Sequence, residues 1–165
     1  MSRIEPETLG RLFREHAPAL LLYARQWCDA PEDLVQEAFL ALAGLRNPPE
    51  RPAAWLHRVV RNRAIDLSRV GKRRRLRESA SAASEAWFQT SDEDSIDSNA
   101  AAEALSVLEV DQREVIVARL WGGLTFEEVA RLVDAPLTTV YRRYHSGLAE
   151  LKNRLEGRWI STTHP

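Results

Sequence analysis

Leu124-Thr-Phe-Glu-Glu-Val-Ala-Arg-Leu-Val-Asp-Ala-Pro136 reads as a short helix and the turn that ends it. Thr125 stands at the N-cap, and Glu128 three residues later completes a capping box. Asp134-Ala-Pro136 breaks the pattern, because proline lacks an N–H and pushes the residue before it out of the helical region. A last helix then runs from about Thr138 to Glu156. At roughly 100° per residue, Val140, Tyr144, Leu148, Leu151 and Leu155 share one face. Thr139, Arg142, Arg143, Ser146 and Asn153 lie opposite. Two helices joined by a tight turn make a helix-turn-helix, which offers the N-terminal residues of its second helix to base edges in a major groove. Thr138, Thr139, Arg142 and Arg143 occupy that end and Ser146 follows on the same side, so these five are the candidate duplex readers. Arginine reads guanine through two hydrogen bonds, and a helix N-terminus favours phosphate. The alternative for the same pattern is a protein-binding helical pair.

Helical signals extend back along the chain. Asp111 to Trp121 forms a helix stopped by Gly122-Gly123, and Ala100 to Leu108 another. In the first half, Thr8 to Glu15 is a helix with Leu9, Leu12 and Phe13 inward. Pro18 suits the first turn of a second helix, continued by Ala19 to Trp27. Asp29-Ala-Pro-Glu32 has the form of an N-cap, a proline and an acidic first turn for a third helix that ends at Ala43, with Gly44 as its C-cap. Arg46-Asn-Pro-Pro-Glu-Arg-Pro52 is a stiff loop, and a long helix follows from about Ala53 to Arg74. No segment sustains strand-like alternation, and no Asn-Gly or Asp-Gly hairpin turn occurs. The fold class expected is therefore all-α.

With 165 residues the chain is long enough for one domain or two small ones, and its apolar and charged fractions of 44% and 28% exclude wholesale disorder. The formal charge of −1 conceals a segregated distribution. Residues 1–78 carry a net +5, residues 79–111 a net −8 without a single lysine or arginine, and residues 112–165 a net +2. Two basic modules thus flank an acidic connector. Fields act over about 8–10 Å in physiological salt, so the overall charge does not prevent the flanks from binding a polyanion. The divisions expected are 1–78, a flexible acidic linker at 79–98, and 99–165. Trp87 and Phe88 interrupt the linker, and either dock on a neighbour or pack in a local turn.

Helix faces separate two further candidate surfaces. On the long helix Leu56, Val59, Val60, Leu67 and Val70 fall on one side, with Arg63 intruding. Arg58, Arg61, Asn62, Arg69 and Lys72 fall on the other, and Lys72-Arg-Arg-Arg75 closes the helix. An arginine-rich face with an asparagine in its middle has the donors that phosphates and base edges require. Trp55, beside it, suits the core better than a stacking platform. On the third helix Leu34, Ala38, Phe39 and Leu42 form the buried stripe, leaving Asp33, Gln36, Glu37 and Leu40 for other surfaces. Carboxylates repel phosphate, so this face suits a protein partner with a basic surface; the plain alternative is an ordinary solvated face.

Asp33-Leu-Val-Gln-Glu-Ala-Phe39 matches the D-x-x-Q-E-x-F signature of bacterial sigma factors, and Trp55-Leu-His-Arg-Val-Val-Arg-Asn-Arg-Ala-Ile-Asp66 looks like the helix that follows it in that family. Asp111-Gln-Arg-Glu-Val-Ile-Val117, Gly123-Leu-Thr-Phe-Glu-Glu-Val-Ala130 and Pro136-Leu-Thr-Thr-Val-Tyr-Arg-Arg-Tyr-His145 resemble the family's second DNA-binding domain and its recognition helix. The resemblance covers about residues 8–75 and 99–156, with no domain between them, which is the organisation of the extracytoplasmic-function (ECF) group.

The resemblance implies roles. Residues 1–78 would be sigma region 2, and Asp33, Gln36 and Glu37 would dock on the β′ clamp helices of core RNA polymerase, with Phe39 supporting the core. The 46–52 loop and the long helix would melt and capture the −10 element of promoter DNA, through Arg46, Asn47, Arg51, Arg58, Arg61, Asn62 and Asp66. Single-strand capture needs a basic groove and stacking surfaces. Residues 99–165 would be sigma region 4, engaging the polymerase β flap and reading the −35 element through Thr138, Thr139, Arg142, Arg143 and Ser146. The linker would thread the polymerase channels, and its acidity would favour a basic, nucleic-acid-binding channel. An anti-sigma factor is a further implied partner. Thr138-Thr-Val-Tyr-Arg-Arg143 departs from the Gly-Thr-Val-Lys-Ser-Arg found in many relatives, so the promoter sequence does not transfer.

Catalysis has no support: there is no glycine-rich phosphate loop and no nucleophile–base spacing, and neither a cofactor nor a metal is expected. Cys28 is the single cysteine, expected as a small apolar residue at a helix end, and its solitude suits a reducing compartment. No apolar run approaches the roughly 18 residues of a membrane span, and the N-terminus lacks the apolar core of a secretory signal, so no membrane insertion and a cytoplasmic location are expected. Two other readings compete with a sigma factor: a stand-alone helix-turn-helix regulator that ignores polymerase, and a decoy or adaptor that occupies polymerase without opening promoters.

Overall fold

The computed structural model describes residues 3–75 and 103–162, with side chains for 3–70 and 103–157. The 79–98 linker, including Trp87 and Phe88, lies outside the described residues. All regular structure among the described residues is helical. The first half contains α1 (Pro6–Ala24), α2 (Pro31–Ala43) and α3 (Pro52–Arg75). The second opens with a helical turn at 103–106, then α4 (Val110–Ile116), which continues as a π-helical stretch at Val117–Trp121. The last two helices are α5 (Phe126–Val133) and α6 (Leu137–Thr162).

In the first half, each of the three helices packs against the other two around Leu20, Tyr23, Leu34, Val35, Leu42, Leu56 and Val60. Pro18 does not open a separate helix: α1 runs straight through it. Proline costs a helix its i−4 hydrogen bond, but Pro18 faces solvent while Ala17, Leu20, Tyr23 and Ala24 bury the opposite side. Packing on that side outweighs the local defect. Phe39 is buried as expected, and Phe13 meets it edge-on at 4.9 Å between ring centroids.

Several helix ends differ in detail. The N-cap of α2 is Ala30 rather than Asp29, without a side-chain cap bond, and Pro31 supplies the pre-set first turn. Gly44 caps the C-terminus in the right-handed region (φ −78°), so it stops the helix without needing glycine's freedom. Leu67 and Val70 are not core residues. They are 51% and 63% exposed, because α3 outruns α1 and α2 after Ala64, its last described buried residue. The final helix likewise passes the expected end at Glu156, reaching Thr162, and Leu155 is exposed beyond its packing partners.

In the second half Val115, Ile116, Leu124, Val129, Leu132 and Val140 are buried. The Thr125 capping box is present in both directions: Glu128 N donates to Thr125 Oγ1 and Thr125 N donates to a Glu128 carboxylate oxygen. Asp134 ends α5 in the left-handed region (φ +51°), a conformation that aspartate tolerates better than most residues. This turn sets α6 against α5. The α4 helix crosses α6 at Gly147, where a Cβ would stand 2.4 Å from Ile116 Cδ1. Glycine allows the two backbones this close approach.

The halves share one apolar core: α1 meets the π-helical stretch, and α3 meets α5.

Candidate functional site

Three exposed surfaces and one buried polar cluster carry the residues of interest. On α2, burial of Leu34, Val35, Ala38, Phe39 and Leu42 against α1 and α3 turns the other side outward. Asp33, Gln36, Glu37 and Leu40 are all exposed on it, three and four residues apart. Leu40 is 67% exposed, an apolar residue beside two carboxylates. Glu37 also stands 3.9 Å from Arg63, a pair in which both side chains are more than half in water, so it is a weak tie.

The second surface joins the 46–52 loop to α3. Arg46, Asn47, Arg51, Arg58, Asn62 and Asp66 are exposed. Trp55 is half-buried rather than fully in the core. With Pro49, Arg51, Ala54 and Arg58 it lines a groove of about 280 Å³ whose far wall is Glu128, Arg131 and Leu132 of α5. Arg51 reaches across to Glu128 at 2.8 Å, so this basic surface is already in contact with the second half.

The third surface is the N-terminal end of α6. Thr138 and Arg142 are exposed and Thr139 is half-buried. Arg143 and Ser146 are engaged with α4: Arg143 lies 3.5 Å from Asp111, and Gln112 donates to Ser146 Oγ at 3.0 Å. The five sequence candidates therefore divide into an outward group and a group turned towards α4. Tyr141, which sequence reasoning passed over, is 38% exposed on the same helix. Its ring packs on Phe126 at 4.4 Å and stacks near-parallel with His145 at 6.4 Å. The signal available was its placement between Thr138 and Arg142.

The buried cluster was not anticipated. Glu114 of α4 is 4% exposed and sits between the halves. Tyr23 Oη of α1 and Arg61 Nε of α3 both donate to the same oxygen, Glu114 Oε1, each at 2.5 Å. Charge-assisted bonds of this kind are about twice as strong as neutral ones. Burial, then the neighbouring carboxylate, pushes the Tyr23 phenol well above its ordinary range, so it stays a donor. Burial works against the charge on Arg61, but Glu114 outweighs it and the guanidinium is shifted upward. Arg61, expected on the open face, is thus half-buried and committed to the second half.

His57 completes this seam. It is fully buried, packs edge-on to Tyr23 at 5.2 Å, and donates from Nδ1 to Ala53 O at 2.8 Å. Its wheel position among Leu56 and Val60 was a usable signal for burial. Cys28 is half-buried, and burial pushes its thiol up, away from reactivity. Among the described residues no group of three or more His, Cys, Asp or Glu could hold a metal, and no helix is long and apolar enough to cross a membrane.

Comparison with known proteins bears on this arrangement. The family model for Sigma-70 region 2 matches residues 12–75, and that for Sigma-70, region 4 matches residues 98–151. No curated protein matched the chain. Among solved structures, the sigma factor RpoE in complex with the anti-sigma factor NepR, from Bartonella quintana, has a similar fold. Its TM-score is 0.68 at 22% identity, over 92% of this chain and 98% of that one. CnrH, in complex with the cytosolic domain of CnrY, is similar with a TM-score of 0.57 at 24% identity, over 93% and 91%.

Proposed function

The chain belongs to the sigma-70 family, with regions 2 and 4 in the ECF arrangement, and on that premise we propose that it binds core RNA polymerase and directs it to promoters. One observation carries the reading: α2 turns Asp33, Gln36, Glu37 and Leu40 outward as a single acidic and apolar face. DNA would repel such a face, and a stand-alone regulator has no use for it. It suits a basic protein surface, which in this family is the β′ clamp helices.

The remaining roles follow the exposed surfaces. Arg46, Asn47, Arg51, Arg58, Asn62 and Asp66 line the loop and α3 face assigned to the −10 element, with Arg61 joining them once it leaves Glu114. Trp55, half-buried on the wall of the groove, offers an aromatic surface to a displaced base. Thr138, Thr139 and Arg142 read the −35 duplex, and Arg143 and Ser146 brace the recognition helix against α4. Region 4 also engages the β flap. Residues 79–98 connect the two regions within polymerase. The anti-sigma factor bound to the Bartonella relative supports a protein antagonist for this chain as well. The chain works in the cytoplasm, where polymerase is, and it is an initiation factor rather than an enzyme.

The test is transcription in vitro with purified core polymerase and a pool of promoters from the source genome. Wild type should yield transcripts from defined start sites. An Asp33→Arg/Glu37→Arg double variant of matched folding should lose them together with core binding. DNA binding without core association would leave a stand-alone regulator, and core binding without transcripts from any promoter would leave a decoy.

A further inference from the structure

Three arginines and one glutamate line the groove beside Trp55. Arg51 and Glu128 neutralise each other at 2.8 Å, and Glu128 is also held by the Thr125 cap. That leaves Arg58 of α3 and Arg131 of α5. Both are exposed, and among the described residues neither has an ion-pair partner. Two unpaired guanidiniums in one small groove repel each other, and a bound anion relieves that repulsion.

The charge of +2 on this pair selects the kind of anion. A carboxylate, or the phosphodiester of a strand, carries a single negative charge, whereas a phosphate monoester carries about −1.5 to −2 at pH 7. The guanidinium fork matches phosphate oxygens through paired hydrogen bonds. Beside the two arginines, Trp55 and Leu132 supply apolar lining, and an indole is a surface on which a base stacks. At about 280 Å³ the groove is at the small end of ligand sites, which run from roughly 300 to 1,000 Å³, so it fits one base and one phosphate rather than a length of polymer.

We propose that this groove binds a free nucleoside monophosphate, its phosphate on Arg58 and Arg131 and its base against Trp55. The walls come from both halves of the chain, so the nucleotide binds where they meet and stabilises their association by mass action. The inference does not rest on the sigma-factor reading, because nothing in it involves polymerase or a promoter.

The test is calorimetric titration of the full chain with adenosine 5′-phosphate, with adenosine, with inorganic phosphate and with a short single-stranded DNA. The nucleotide should bind about ten-fold or more tighter than adenosine or phosphate alone, since it uses both the ring and the anion contacts. Arg131→Gln, at an exposed position, should weaken nucleotide binding about ten-fold without lowering the melting temperature of the unliganded chain. Trp55→Leu should weaken it by a similar factor while leaving inorganic phosphate binding unchanged. The nucleotide should also raise the melting temperature of wild type more than that of Arg131→Gln. Phosphate binding as tightly as the nucleotide would reduce the groove to an adventitious anion site and overturn the proposal. So would an Arg131→Gln variant that binds the nucleotide as wild type does, or a DNA strand that binds where the mononucleotide does not. Transcription with core polymerase is scored separately: its failure removes the sigma reading and leaves the titration result standing.

Discussion

His57 of α3 and Gly122, at the end of the π-helical stretch, touch across the seam between the two regions: a Cβ on Gly122 would lie 2.7 Å from His57 Nε2. That nitrogen is buried without a hydrogen-bond partner. Burial holds the His57 pKa at about 4, below its ordinary 6.5, although the bond to Ala53 pulls the other way. The unfolded chain takes up a proton near pH 6.5, and the folded one resists until about pH 4. Stability from this group is therefore complete above pH 6.5 and lost as pH falls towards 4, amounting to about 3 kcal/mol. Urea midpoints measured at neutral and acid pH should fall further for wild type than for His57→Leu, which has no proton to gain. Equal losses in the two proteins would sink the assignment.

Gly147→Ala tests the crossing of α4 and α6. In an open helix the change would stabilise by roughly 0.5–1 kcal/mol. Here the new Cβ meets Ile116 Cδ1 in a buried, well-packed place, and overpacking of about 1–3 kcal/mol outweighs that gain. Thermal melting should show Gly147→Ala less stable than wild type. Adding Ile116→Val, which removes the clashing methyl, should recover part of the loss. A simple sum of two destabilisations would count against the contact.

Thr125→Ala removes one arm of the capping box on α5 and should cost about 1 kcal/mol. Because Glu128 belongs both to the box and to the Arg51 pair, losing the cap also loosens the wall of the groove. Thr125→Ser keeps the acceptor and should retain most of the stability. A lower melting temperature for serine than for alanine would contradict the capping role.

Arg142 and Arg143 are neighbours in sequence with different surroundings: Arg142 is exposed, while Arg143 lies beside Asp111. Arg142→Ala should weaken binding to a −35 duplex by about 1–3 kcal/mol and relax the preference at one base position. Arg143→Ala should act mainly through its lost tie to Asp111, with a smaller change in sequence preference. Binding titrations against duplexes substituted one base pair at a time would distinguish them. Identical specificity profiles for the two variants would show that both or neither reads bases.

Much of the local architecture was legible in the residues themselves. The Thr125–Glu128 box, the α2 stripe from Leu34 to Leu42 and the turn at Asp134-Ala-Pro136 are each specified within a few positions of sequence. What could not be read was set by partners distant in the chain. Pro18 looks like a helix start because its cost is local, whereas the burial of Leu20 and Tyr23 that overrides it comes from α2 and α3. Leu67 and Val70 follow the apolar rhythm of α3, but the rhythm cannot say where the neighbouring helices stop. Glu114, between Arg113 and Val115, reads as a surface charge; only the fold brings Tyr23 and Arg61 to its oxygen. Of the candidate surfaces, the α2 face and Thr138 and Arg142 are outward as the wheels suggested. Arg61, Arg143 and Ser146 are engaged by groups the wheels could not see.

The seam at Glu114 also has a statistical consequence. The two regions are parts of one chain, so their meeting is unimolecular, and a short covalent connection holds such partners at an effective concentration on the order of millimolar. Contacts between the halves therefore need less intrinsic affinity than contacts between separate molecules to stay formed. By the same token, a change of about 1.4 kcal/mol in the contacts of one carboxylate oxygen changes the equilibrium constant for the two halves' association tenfold. Residue 114 is thus a place where a single substitution changes how firmly the two halves hold each other without altering an exposed side chain.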